Sequence, residues 1–186
     1  MSSTGIFWIR EDFRIENNPA LSYATQNHEK VIALYIYNNN DFDKKREAQK
    51  WWVSKSLESL KKELSEYKIN LEIVKGDEIE IFSKVNKKDK ISVYWNKIYE
   101  PDVITKGKKI RDIFIKNEIS YKYFKGNILT EFQDVTKNDG TPFKVFTPFW
   151  RNAEQVYLNQ PPAKNYTVKK KTKKVSYFKK CIETKN

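Results

Sequence analysis

The sequence predicts an α/β domain: a doubly wound, five-stranded parallel sheet with helices on both faces. Two observations carry this expectation. Five short apolar runs, each the length of one buried strand, alternate with stretches of helical spacing. The runs are separated by helix-length segments rather than tight turns, and a parallel sheet requires crossovers of that kind. The expected arrangement is Rossmann- or flavodoxin-like, and such sheets bind ligands outside the carboxyl ends of their strands, where the strand order reverses.

The elements follow in chain order. Gly5-Ile-Phe-Trp-Ile9 and Val31-Ile-Ala-Leu-Tyr-Ile-Tyr37 are rich in β-branched and aromatic residues and read as buried strands. Asn70-Leu-Glu-Ile-Val74, Ile91-Ser-Val-Tyr-Trp95 and Ser120-Tyr-Lys-Tyr-Phe124 supply three more. Asn18-Pro19 opens the first helix, with Asn as cap and Pro in the first turn. The longest helix, residues 47–67, places Trp51, Trp52, Leu57, Leu60 and Leu64 at three- to four-residue steps. Residues 77–86 and 101–117 complete the set. The α/β domain is expected over residues 1–130, a linker segment over 131–162, and a basic, flexible tail over 163–186.

Composition bounds the function. Aromatics make up 15% of the 186 residues, ample for a core, and no apolar run approaches the ~20 residues that span a bilayer. The N-terminus lacks the basic and apolar regions of a secretory signal, so a cytoplasmic location is expected. A single cysteine, Cys181, and a single histidine, His28, leave no material for disulfides, a cysteine metal site or histidine triad chemistry. The net charge of +12 is unevenly placed: the last 24 residues hold nine Lys against one Glu. Lysine runs of this kind are solvated charge or phosphate-backbone contacts. No G-x-G-x-x-G follows the first strand and no phosphate-cradling glycine loop occurs elsewhere, which removes most support for a dehydrogenase or NTPase.

At the first loop the chain reads Phe7-Trp-Ile-Arg-Glu-Asp-Phe-Arg-Ile-Glu-Asn-Asn-Pro-Ala-Leu21. This resembles the opening signature of the DNA photolyase/cryptochrome family. Three further segments resemble family motifs in the same order: Glu47-Ala-Gln-Lys-Trp-Trp-Val-Ser-Lys-Ser-Leu-Glu-Ser-Leu60, Val93-Tyr-Trp-Asn-Lys-Ile-Tyr-Glu-Pro101 and Gly140-Thr-Pro-Phe-Lys-Val-Phe-Thr-Pro-Phe-Trp-Arg151. The last is the most specific, and the resemblance runs from about Ile6 to Pro162.

The resemblance implies an N-terminal antenna-chromophore domain like that of a deoxyribodipyrimidine (CPD) photolyase, a light-driven DNA-repair lyase. It implies that FAD, the tryptophan electron chain and the lesion pocket belong to a helical domain absent from this chain. The chain alone is then expected to be inactive, with no catalytic residue and no metal site of its own. Its expected partners are that helical FAD-binding domain, in cis or as a split product, and DNA through the whole assembly. A cryptochrome-type photoreceptor fragment, a stand-alone nucleotide- or flavin-binding module, and a nonspecific nucleic-acid binder using the lysine tail are the alternatives.

By the same resemblance an antenna cleft is lined by Arg10, Asp12, Ile36, Tyr37, Asn38, Arg46, Asn96, Tyr99, Glu100 and Pro101. The second of its three loops spans residues 38–43. Asp102-Val103 stands where a folate-binding pattern has Asn-Glu, which favours deazaflavin or FMN over methenyltetrahydrofolate; an empty cleft stays open. Each residue also has a plainer reading. Asp12 and Arg14 pair with each other or cap the first helix, Asn96 satisfies backbone groups, Glu100 precedes a helix start, and Tyr99 packs or stacks. Arg46 reaches a ligand phosphate or a neighbour on its helix. His28 faces solvent, and most of the five tryptophans are packing residues. Residues 143–151 read as a stacking platform for single-stranded nucleic acid or, preferred, a domain interface in which Phe146, Phe149 and Trp150 form an exposed apolar patch.

Overall fold

The computed structural model describes residues 4–38, 46–85, 87–160 and 164–178. Five parallel strands, β1 (Thr4–Ile9), β2 (Lys30–Tyr37), β3 (Asn70–Lys75), β4 (Ile91–Asn96) and β5 (Ser120–Phe124), pair in the order β3-β2-β1-β4-β5. The order reverses between β1 and β4. Helices α1 (Pro19–Asn27), α2 (Glu47–Glu66), α3 (Glu78–Ser83) and α4 (Pro101–Lys116) connect them. The expected fold class is the observed one.

Alternation along the strands builds two cores. Ile6 and Trp8, Ile32 and Leu34, and Val93 and Trp95 face Phe82 of α3 and Ile110 and Phe114 of α4. Phe7 and Ile9, Val31, Ala33 and Tyr35 face Leu21 of α1 and Val53, Leu57, Leu60 and Leu64 of α2. Strands buried on both faces read as continuous apolar runs, which is why the sequence exposed them. Trp8 and Trp95 are core residues, with ring centroids 5.6 Å apart. Trp51 and Trp52, expected to be packed, are exposed, because the buried stripe of α2 starts at Val53.

The chain divides into two compact units, residues 1–124 with 166–186, and residues 125–165. The expectation of a flexible tail from residue 163 does not survive for residues 166–178. The Lys171 N–H donates to the Tyr67 carbonyl (2.8 Å), and its ammonium donates to the carbonyls of Thr25 and His28. Phe178 is 2% exposed and belongs to the core on the α3–α4 side of the sheet. Two apolar anchors, Val168 and Phe178, and a buried carboxylate, Glu72, hold a segment whose composition reads as tail. His28 also departs from the solvent-facing expectation. Its Nε2 lies 2.7 Å from the Tyr94 hydroxyl, and a Cβ on Gly5 would meet its ring at 2.8 Å.

The second unit contains a turn at residues 137–141, in which the Asp139 carboxylate accepts from the Thr141 N–H and hydroxyl, and helix α5 (Phe146–Leu158). Pro148 sits in the first turn of α5, where a missing N–H costs nothing. Phe146, Phe149 and Trp150 are all exposed, as expected.

Candidate functional site

The carboxyl edge of the sheet is organised by the loop after β1. The Asp12 carboxylate accepts from the Arg10 N–H (3.2 Å), from the Asn96 amide and, more distantly, from the Asn18 amide. Asn96, at the end of β4, also donates to Asn18 Oδ1 (2.9 Å), and its Oδ1 accepts from the Ala20 N–H. Asn18 Oδ1 accepts from Leu21 N–H and so caps α1. These contacts bind the reversal point of the sheet to the first helix. Burial raises the Asp12 pKa above its ordinary value, against the hydrogen bonds from Asn96 and Arg10 that favour the anion.

Arg10 leaves the end of β1 and lays its guanidinium 4.4 Å from the centroid of the Trp8 ring. Burial lowers its pKa, opposed by the carboxylates of Glu78, Glu11 and Asp12. Beside it opens a cleft of about 550 Å³ lined by Arg10, Glu11, Phe13, Tyr35, Ala48, Gln49, Trp52 and Val53. Phe13 forms its aromatic corner, with centroids 5.6 Å from Tyr35 and 5.8 Å from Trp52. Gln49 accepts from the Arg46 N–H at the start of α2, which fixes its side chain at the rim. The cleft thus offers ring faces, the Arg10 guanidinium, the Glu11 carboxylate and the Gln49 amide, a set that suits a planar heterocycle with both donor and acceptor edges.

Of the expected cleft residues, Arg10 alone lines this cavity. Asn96 satisfies the Ala20 N–H, its plainer reading, whereas Asp12 bonds Asn96, Asn18 and the Arg10 N–H and the cap of α1 is Asn18. Ile36 is buried in the core on the α3–α4 side, and Tyr37 packs against the α1–α2 side. Asn38 and Tyr99 are half-buried, Arg46 is exposed before α2, and Glu100 and Pro101 are exposed at the start of α4. Residues 39–43 of the second loop lie outside the described residues, as does Cys181. Phe13, Tyr35, Gln49 and Trp52 line it without being among the expected residues, although Phe13 sits within the first motif and Gln49 and Trp52 within the second. Among the described residues no cluster of His, Cys, Asp or Glu could hold a metal, and no helix is long and apolar enough to cross a membrane.

An open parallel sheet with a ring-lined cleft at the carboxyl ends of β1 and β2 is the arrangement of doubly wound α/β domains, which hold ligands at that end. The DNA photolyase family model matches residues 5–167, and the chain belongs to that family. It is 28% identical over 181 residues to a deoxyribodipyrimidine photo-lyase of Agrobacterium fabrum, covering 94% of this chain and 38% of that protein. It is 27% identical over 172 residues to cryptochrome-2 of Arabidopsis thaliana, covering 87% of this chain and 28% of that protein. The chain therefore spans well under half the length of these relatives. The crystal structure of a class III photolyase from Agrobacterium tumefaciens superposes with a TM-score of 0.73 at 26% identity, over 97% of this chain and 38% of that one. An archaeal photolyase from Sulfolobus tokodaii, described with two FAD molecules and a novel light-harvesting cofactor, shares the fold at a TM-score of 0.72 and 23% identity, over 98% of this chain and 42% of that one.

Proposed function

We propose that this chain is the antenna-chromophore domain of a light-driven deoxyribodipyrimidine photolyase, with the FAD-binding helical domain supplied by sequence outside these 186 residues. The observation that carries the reading is the cleft beside Arg10: its three aromatic rings and single guanidinium fit a flavin- or deazaflavin-type ring system. Such a pigment, when bound, supplies light absorption and passes its excitation to the distant flavin. The chain's own residues have simpler tasks. Phe13, Tyr35 and Trp52 sandwich or flank the ring and exclude water. Arg10, its charge stacked on Trp8, faces an acceptor edge of the ring, Glu11 a donor edge, and Gln49 offers an amide to a ring carbonyl.

The docking face for the helical domain is proposed on the second unit, where Phe149, Trp150, Leu129, Phe132, Tyr157 and Leu158 line an apolar groove of about 880 Å³. Phe146, which is 70% exposed, extends this face. By this reading the isolated chain repairs no pyrimidine dimers and its second unit promotes self-association.

The test is reconstitution in the dark with FMN, a deazaflavin and methenyltetrahydrofolate, read by fluorescence of the pigment and of tryptophan. Stoichiometric binding of one of the first two, weakened about tenfold or more by Trp52→Ala, is the expected result. Preferential binding of the folate overturns the pigment assignment, and binding of none at tens of micromolar overturns the antenna reading.

A further inference from the structure

The segment 166–178 closes the amino edge of the sheet, the end opposite the candidate cleft, and its path is fixed by bonds that leave most of its lysines facing outward. The Thr167 carbonyl accepts from the Ser22 hydroxyl (2.7 Å), the Lys169 N–H donates to the Thr25 hydroxyl (3.1 Å), and the Lys171 N–H donates to Tyr67. The Thr172 carbonyl accepts from the Lys68 ammonium (3.2 Å), and Glu72 accepts from the N–H groups of Tyr177 (2.8 Å) and Phe178 (2.7 Å). Only Lys171 turns inward. Lys169, Lys170, Lys173 and Lys174 are exposed, and no ion pair among the described residues involves any of them. Among the described residues Lys174 donates to the Ser65 hydroxyl. Lys68 and Lys90 precede β3 and β4 at this same edge, and Glu29 is the carboxylate that bears on Lys171.

We propose that this strap is a docking surface for the phosphate backbone of duplex nucleic acid, recognised without regard to sequence. Three features select that partner. Lys169 to Lys174 span at most ~18 Å of chain, a length over which one strand presents about five phosphates at ~3.4 Å of helix axis each, so four outward cations match the charge of that stretch. Unpaired surface cations on a flexible tail would pay ordering entropy on binding, and here the bonds to Thr25, Tyr67 and Glu72 have already fixed the backbone. The strap holds no arginine to read base edges bidentately, and its two tyrosines, Tyr166 and Tyr177, are half-buried, so neither base readout nor stacking on single strands is served. The surface needs no pigment and no lesion, and it stands whether or not the antenna reading does.

The experiment is titration of the full chain, in the dark, against an undamaged 20-base-pair duplex from low to moderate salt. Wild type should bind weakly with a steep salt dependence. Replacing Lys169, Lys170, Lys173 and Lys174 together by Gln should lower affinity at least tenfold at 50 mM salt and cut the slope of log K against log salt by about 3 to 4. A control removing Lys55, Lys61, Lys62 and Lys108, exposed on α2 and α4, removes the same charge elsewhere and should leave most of the binding intact. Equal losses in the two variants, or a change below twofold in the strap variant, overturn the proposal. Amine footprinting of the wild-type complex gives a readout independent of variant folding: protection of the four strap lysines is expected, and protection confined to other lysines refutes it. Binding to anionic lipid vesicles with no binding to the duplex also refutes it.

Discussion

The two ends of the same sheet are finished in opposite ways. At the carboxyl end, the polar groups of Asp12, Asn18 and Asn96 satisfy one another and the first turn of α1, while Arg10, Glu11, Glu78 and Lys106 supply charges of both signs. At the amino end the loops before β4 and β5 tie to each other, the Asn117 amide donating to the Val85 carbonyl and Lys87 pairing with Glu118, but the β2–β3 side is closed differently. A strap about 140 residues downstream of α1 arrives to cap its last carbonyls with the Lys171 ammonium and to satisfy Glu72 with its own N–H groups. One end is tied by the sheet's own loops and leaves a cleft; the other, at β2 and β3, is closed by the strap and leaves a cationic rim. A parallel sheet exposes strand ends on both sides, and here the side that stays open is the carboxyl end, where the connections leaving β1 and β4 run in opposite directions.

If the amino end depends on the strap, its largest vulnerability is Glu72, a carboxylate on an edge strand with no exposed surface. Glu72→Ala leaves the Tyr177 and Phe178 N–H groups without their acceptor and loosens Phe178 from the core. At about 1–3 kcal/mol for each orphaned group, the expected loss is ~3–5 kcal/mol, read as a fall in the urea midpoint at unchanged activity of any pigment site. A loss under ~1 kcal/mol would show that the strap rests on the sheet without supporting it.

The same contrast explains what the sequence made legible. Strands and helices were readable because each is written in consecutive residues: β-branched runs, an Asn-Pro start, a three- to four-residue apolar step. The strap was not, because Val168, Lys171 and Phe178 are spaced among exposed lysines, and their partners Thr25, Tyr67 and Glu72 lie far away in the chain. The cleft was half legible. Arg10 is recognisable from the first loop, but Tyr35 reads as one more core residue of β2, and Trp52 joins it only once α2 is laid against the sheet. Asp12 and Asn96 look like ligand groups in sequence because nothing there reveals that they bond each other across 84 positions. Helix α5 was obscured by Pro148 and by aromatics that resemble an extended interface segment.

The carboxyl end can be broken separately. Asn96→Ala removes at once the acceptor for Ala20 N–H and a donor to Asp12, both largely withdrawn from water. The expected cost is ~2 kcal/mol, smaller than at Glu72 because Asn18 still caps α1. The loss should be accompanied by weaker pigment binding, since Arg10 takes its direction from the same loop, whereas Glu72→Ala should leave pigment affinity unchanged. Both variants affecting the pigment alike would mean that the two ends are not independent.

The finest test of the contrast is the pH dependence contributed by Asp12. Burial holds its folded pKa above the ordinary 3.8, so the folded state favours the protonated carboxyl relative to the unfolded chain. The corresponding stability is fully present at low pH and is lost as pH rises through the folded value. Asp12→Asn is neutral throughout and carries no such dependence. Its constant loss of one acceptor shifts the whole stability curve, while the gap to wild type should change in the variant's favour between pH 3.5 and neutrality. Urea unfolding at matched ionic strength measures that gap directly. Parallel curves would mean that the hydrogen bonds from Asn96, Asn18 and Arg10 fully offset the burial, making the carboxyl end as self-sufficient for an anion as it is for the neutral groups around it.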